Sequence, residues 1–371
     1  MMRPLRLLLI TDAVGGVWTY SLELARALDE HDVEVVLAIV GPSPSQAQRE
    51  QVRDLRMIDT GLPLEWMPTT PAEIRRAAQA LADLSAREGV GLIQTCSAPL
   101  LAGVDFPVPT VAVQHSCVAS WWSAVRGMAL PAEFAWRRDL IETGLNNADL
   151  IVAPSAAFAA ETDRIYDIAR PVLAVHNGRR SRPVRNLPRS DFIFTASRLW
   201  DDGKNVAVLD AAAAQLDVPF EAAGQVQGPN GAYRPFHHLS LMGEIGSESL
   251  ADVLTARPIY ASAAVYEPFG LSVLEAANAG CALVLSDIAT FRELWGEAAI
   301  FVPPDDASGF AGACRRLLGD PTARARLGDA ARRRSQHFTP ARMAQKMFDI
   351  YQRVLSPARQ ARERRLHEVA A

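Results

Sequence analysis

Cysteine is scarce in this 371-residue chain. There are four, Cys96, Cys117, Cys281 and Cys314, far apart and without metal-ligand spacing. They read as free, buried thiols in a reducing compartment, which points to a cytoplasmic protein. No run of about 20 apolar residues occurs, so no segment is expected to span a membrane. The apolar stretch Leu7–Ile10 follows a basic start but is too short for a signal peptide. Thr11–Asp12 ends it without a cleavage-type site, so it reads as a first strand. Charge of one sign is also missing. The formal net charge is −4, which gives no case for a nucleic-acid partner. There is no low-complexity segment and no repeat finer than two α/β halves.

What is present suggests about two globular domains, with 49% hydrophobic and 22% charged residues. Leu5–Ile10 is nearly continuously apolar, as in a parallel strand covered on both faces. Gly15 and Gly16 follow, then an amphipathic helix over 18–28 and a strand over 33–40, a βαβ unit. The third glycine of the dinucleotide fingerprint is absent, which argues against a nicotinamide dehydrogenase. Residues 51–68 are less regular. Pro71–Glu88 reads as a helix; Leu92–Cys96 and Thr110–Val113 read as strands. His115 lies just past the second of these, at the carboxyl end where such sheets bind ligands. A core histidine bonded to backbone is the alternative. Trp121 and Trp122 suit either an aromatic platform for a sugar ring or the core.

A strand over 148–155, a helix over 156–166 and a strand over 172–175 precede Arg179–Arg189. That stretch is rich in Arg and Pro, and is the candidate linker. A second α/β pattern starts at Phe192–Ala196. Its first turn holds Arg198 and Lys204, a bidentate cation and a point charge suited to phosphate. Two solvated surface charges are the alternative. Phe220–Gly224 is a strand and Leu239–Ile245 a strand and loop. Pro258–Val265 reads as a buried strand, and the next helix opens near Leu271. Pro268-Phe269-Gly270 is therefore a strand-to-helix turn. A helix N-terminus is a ready anion site, and two carboxylates, Glu267 and Glu275, bracket this one. The last long helix, 339–355, has Met343, Met347, Ile350 and Tyr351 on one face.

Glu267 to Glu275, with Pro-Phe-Gly inside, resembles the signature of retaining glycosyltransferases of family 4. The similarity extends over about residues 5–355. It implies an α/β fold of the GT-B type: two Rossmann-like parallel-sheet domains facing a central cleft. The domains would be 1–180 on the acceptor side and 190–338 binding the nucleotide sugar. The final helix, 339–371, would pack back on the first. The resemblance also implies roles. Arg198, Lys204 and the Gly15-Gly16 turn would hold the donor diphosphate. The backbone of Phe269, Gly270, Leu271 and Ser272 would do so as well. Glu267 would hold sugar hydroxyls, His115 would orient the sugar, Glu275 would bind the ribose, and Gly243 and Glu244 would lie beside the base.

No Asp-x-Asp carboxylate motif is present, so neither a metal nor another cofactor is expected. The implied reaction moves a hexose from a UDP- or GDP-sugar to a saccharide or lipid-linked acceptor, in polysaccharide or glycoconjugate synthesis. A nucleotide-sugar epimerase or hydrolase, or a silent GT-B scaffold subunit, are the rivals. Arg359, Arg362, Arg364 and Arg365 read as a solvated helix end. The alternative is a weak peripheral contact with the inner face of an anionic membrane.

Overall fold

In the computed structural model the described residues are 4–181, 189–228 and 231–356. Most of the candidate linker and all four arginines of the C-terminal tail therefore lie outside them. The chain divides into two compact units, each an α/β sheet with helices on both faces.

The first unit holds β1 (Leu5–Asp12), β2 (Val33–Val40), β3 (Arg56–Asp59), β4 (Leu92–Thr95), β5 (Thr110–Val113), β6 (Leu150–Ala153) and β7 (Val172–Ala174). All pairings are parallel, in the order β3-β2-β1-β4-β5-β6-β7. Because side chains alternate across a strand, the continuous apolar run of β1 feeds two cores. Leu7 and Leu9 join Val35 and Leu37 on one face; Leu8 and Ile10 join Val36 and Ala38 on the other. The first core is closed by helices Gly15–Ala27 and Pro340–Leu355. The latter inserts Met343, Met347, Ile350, Tyr351 and Val354, the i, i+4, i+7, i+8, i+11 stripe of an amphipathic helix. The second core is closed by Pro71–Glu88, whose start carries a reciprocal Thr70–Glu73 capping box and a first-turn proline.

The second unit holds β8 (Ile193–Ala196), β9 (Phe220–Ala223), β10 (Ser240–Gly243), β11 (Ile259–Ser262), β12 (Ala282–Ser286) and β13 (Ala299–Val302). The order is β10-β9-β8-β11-β12-β13, again all parallel. Residues Trp121–Gly127 group with this unit, as do Arg179–Thr339. In both sheets the strand order reverses beside the first strand, between β1 and β4 and between β8 and β11. Loops leaving the carboxyl ends on either side of such a point enclose a crevice.

The structure departs from the sequence reading in a few places. The first helix opens at Gly15 rather than at Trp18, because Asp12 Oδ1 accepts the Val14 N–H at 2.7 Å and turns the chain early. The glycine pair is thus the helix's first turn. A short edge strand, β3, lies inside the irregular stretch. Helices at Val118–Arg126, Ala135–Asn147 and Ser247–Thr255 were not read from the sequence. No helix among the described residues is long and apolar enough to cross a membrane.

Candidate functional site

The turn after β8 is built on a residue the sequence reading passed over. Asp201 is 5% exposed and accepts three hydrogen bonds. Its Oδ1 takes the Gly203 N–H and the Trp121 Nε1–H, both at 2.9 Å, and its Oδ2 takes Arg198 Nη2 at 2.8 Å. One buried carboxylate thus fixes the short helical turn Asp202–Lys204, the helix carrying Trp121, and the Arg198 guanidinium. Arg198 stays about half exposed beside the Trp200 ring, so its remaining donors face outward. Gly224, at the end of β9, backs this turn. Its φ is +138°, and a Cβ there would lie 1.8 Å from the Ser197 carbonyl oxygen.

β11 leaves its ladder after Ser262, short of the expected end, because the backbone is taken over by the same turn. The Gly203 carbonyl accepts the N–H groups of Val265 and Tyr266 at 3.0 and 3.1 Å. Asn205, in the left-handed region, adds bonds from Nδ2 to the carbonyls of Ala263 and Pro304. These bonds bring Lys204 against Glu267. Nζ lies 2.7 Å from Oε2, and the two side chains are 14% and 16% exposed. The sequence reading gave these residues separate partners; the structure pairs them at the crevice between β8 and β11.

Gly270 then starts the helix Leu271–Ala279. Its φ of +91° is a glycine conformation, and a Cβ would come within 3.2 Å of the Phe291 ring. No side chain caps this helix. Its first-turn N–H groups and its dipole therefore remain available to an anion, next to the Lys204–Glu267 pair. Beneath them Tyr260 is buried, and its hydroxyl donates to the Ala196 carbonyl at 3.2 Å and meets Ser272. Burial pushes its pKa up, so it stays a neutral strut.

One turn further along, Glu275 Oε1 receives Arg179 Nε at 2.7 Å. Arg179, the first residue of the Arg- and Pro-rich linker stretch, thus lies against Glu275 rather than in a free connection. Glu275 and Arg179 border a cavity of about 50 Å³ between helices Ser247–Thr255 and Leu271–Ala279. Asn278 faces it from the turn after Glu275. It is 7% exposed, and its Nδ2 has no hydrogen-bond partner. Gly243 and Glu244 stand at the exposed end of β10, where Glu244 accepts Gln225 Nε2 and the Gly243 carbonyl accepts the Gly224 N–H at 2.8 Å.

On the first unit, His115 lies past β5 with its ring edge-on to Tyr20, centroids 4.3 Å apart. Burial pushes its pKa down to about 4, so the imidazole is neutral at physiological pH. Its buried Nε2 makes no hydrogen bond. That is not the backbone-bonded core histidine of the alternative reading. Trp121 and Trp122 are half-buried; Arg126 lies over both rings and Trp121 is held by Asp201. Among the described residues no group of three or more His, Cys, Asp and Glu side chains is gathered to hold a metal ion.

Two family models match in succession. Residues 14–180 match Glycosyltransferase Family 4, and residues 190–320 match Glycosyl transferases group 1. The chain is a homologue of the GT-B glycosyltransferases. Solved structures agree over nearly the whole length. Sucrose-phosphate synthase from Thermosynechococcus elongatus superposes with a TM-score of 0.74 at 21% identity, covering 94% of this chain and 98% of that one. Anabaena HepE in complex with UDP and glucose gives 0.72 at 14% identity, covering 94% and 99%. These likenesses show the GT-B fold. Among curated proteins, alpha-maltose-1-phosphate synthase of Mycobacterium tuberculosis is 33% identical over 114 residues. That match spans 28% of this GT-B homologue and only 30% of the relative. D-inositol 3-phosphate glycosyltransferase of Corynebacterium diphtheriae is 24% identical, covering 91% of this chain and 89% of its own length.

Proposed function

We propose that this protein is a retaining, metal-independent glycosyltransferase that moves a hexose from a UDP- or GDP-sugar to a saccharide or lipid-linked acceptor. One observation carries the reading. At the crevice of the second sheet, a lysine–glutamate pair adjoins an uncapped helix N-terminus, with a second carboxylate one turn on. Cation and amides suit a diphosphate, and a carboxylate on each side suits hydroxyl-bearing rings. The names of the relatives fit this. HepE was solved with UDP and glucose, and the others are named as synthases or glycosyltransferases of sugars and inositols.

In this reading Arg198, Lys204 and the backbone of Phe269, Gly270, Leu271 and Ser272 take the diphosphate. Their charges and N–H groups are fixed before the reaction, so they stabilise the anion that forms as the anomeric bond breaks. Glu267 holds sugar hydroxyls and Glu275, oriented by Arg179, holds the ribose hydroxyls. The cavity beside Glu275 and the Gly243-Glu244 end of β10 are assigned to the nucleoside. On the first unit, His115 is assigned to the sugar and Gly15-Gly16 to the diphosphate. The acceptor hydroxyl oxygen attacks the anomeric carbon on the face from which the phosphate departs. The carbon–oxygen bond to phosphate breaks, and the acceptor proton passes to that phosphate oxygen.

Product analysis tests this. Nucleoside diphosphate should be released in step with a new glycoside of the donor's anomeric configuration. Donor consumption without any acceptor would instead support an epimerase or hydrolase.

A further inference from the structure

The carboxyl edge of the first sheet carries groups that donor chemistry leaves unused. Residues 60–68, after β3, run along this edge. Thr60 N bonds to the Ile39 carbonyl at 3.0 Å and the Gly41 N–H to the Leu62 carbonyl at 2.7 Å, which ties the loop to the end of β2. Buried Leu64 holds it down. Trp66 is 46% exposed, and its ring lies 3.7 Å from where a side chain on Gly41 would begin. Glu65 turns toward the end of β4 instead, where Ser97 Oγ donates to its Oε2 at 2.9 Å.

β4 lies between β1 and β5, so Ser97 and Glu65 share this edge with Asp12, Gly15 and His115. Arg137 is the cation that acts on Glu65. Its Nε donates to the Glu65 carbonyl at 2.6 Å, and its guanidinium lies 4.4 Å from the Trp136 ring centroid. Among the described residues, Ser97 is the only side chain that donates to the Glu65 carboxylate. An ionised carboxylate has room for about four hydrogen bonds. Burial raises the Glu65 pKa, as expected of a carboxyl with few donors around it.

We propose that Glu65, Ser97 and Trp66 form the acceptor subsite, and that it takes an uncharged polyhydroxyl ring rather than a phosphorylated one. The proposal rests on the transferase reading above. A carboxylate with spare acceptor capacity takes neighbouring ring hydroxyls, Ser97 gives and accepts one more bond, and an exposed indole covers the apolar face of a sugar. A phosphate at the same place would meet the charge of Glu65, while Arg137 is already turned to the Glu65 carbonyl and the Trp136 ring.

Saturation-transfer NMR on the full chain tests this. The probes are glucose, mannose and myo-inositol, each beside its monophosphate, with UDP added in parallel. At least one uncharged probe should bind about tenfold more tightly than its phosphate. Trp66→Ala should weaken it about tenfold, and Glu65→Gln should narrow the gap to the phosphate, with circular dichroism unchanged in both. Tighter binding of the phosphates, no binding of any uncharged probe, or folded variants that bind as wild type would overturn the proposal. Absence of UDP binding to wild type would count against the transferase reading, while the sugar titrations would still decide the subsite.

Discussion

Lys204 is one of only two lysines in a chain with 38 Lys and Arg together. Where arginine is the usual cation, a lysine at the crevice is informative. A compact ammonium fits 2.7 Å from Glu267, and a planar guanidinium does not replace it there. A hydrogen bond to a charged group contributes about 1.5–3 kcal/mol. Lys204→Ala should therefore lower kcat/KM by roughly ten- to hundredfold, and Lys204→Arg should not restore it. Lys204→Ala also leaves Glu267 largely buried without its cation, so adding Glu267→Gln should recover melting temperature but not activity. Wild-type kinetics in Lys204→Ala would return the residue to a surface charge.

His115 supplies a pH prediction at the same scale. Its folded pKa, about 4, lies below the ordinary 6.5. As pH falls below about 6.5 the unfolded chain takes up a proton that the folded chain refuses until about 4. The folded state therefore loses stability across that window and none above it. Urea midpoints at pH 7 and pH 5 should fall less in His115→Gln than in wild type. An equal fall in both would show that His115 is not buried neutral.

At the scale of elements, the site depends on how turns are fastened together. Asp201→Asn keeps an oxygen for Trp121 and Gly203 but sets an amide against Arg198. It should raise donor KM with little loss of stability, whereas Asp201→Ala should cost both, as read by kinetics and thermal melts side by side. If Asn and Ala behave alike, Asp201 does not position Arg198. Local patterns made much of this fold legible. The β1 run, the Ala and Leu periodicity of Pro71–Glu88 and the stripe of the last helix each announce their element within a few residues. So did Glu267 to Glu275. The unread elements have weaker local signals. β3 is a four-residue edge strand with no fully buried residue, and Ala135–Asn147 buries only Ile141, Gly144 and Leu145. Asp201 and Arg179 were missed for another reason. Their partners Trp121 and Glu275 lie 80 and 96 residues away, and no local pattern encodes such a pair.

At the scale of the whole molecule, if Arg198, Lys204 and the open helix end take the donor's charge as proposed, added chelator should leave turnover unchanged. A strict requirement for a divalent ion would contradict that assignment. The donor's direction is the central claim: ribose at Glu275, sugar at Glu267. Isothermal titration of UDP and GDP into wild type, Glu267→Gln and Glu275→Gln, in chelator and with kcat measured in parallel, tests it most directly. Glu275→Gln should weaken binding of the free nucleotide. Glu267→Gln should leave nucleotide affinity nearly intact and lower kcat, because its contacts strengthen as the anomeric bond breaks. The reverse pattern would mean that the donor lies the other way round, and two variants indistinguishable from wild type would contradict the account.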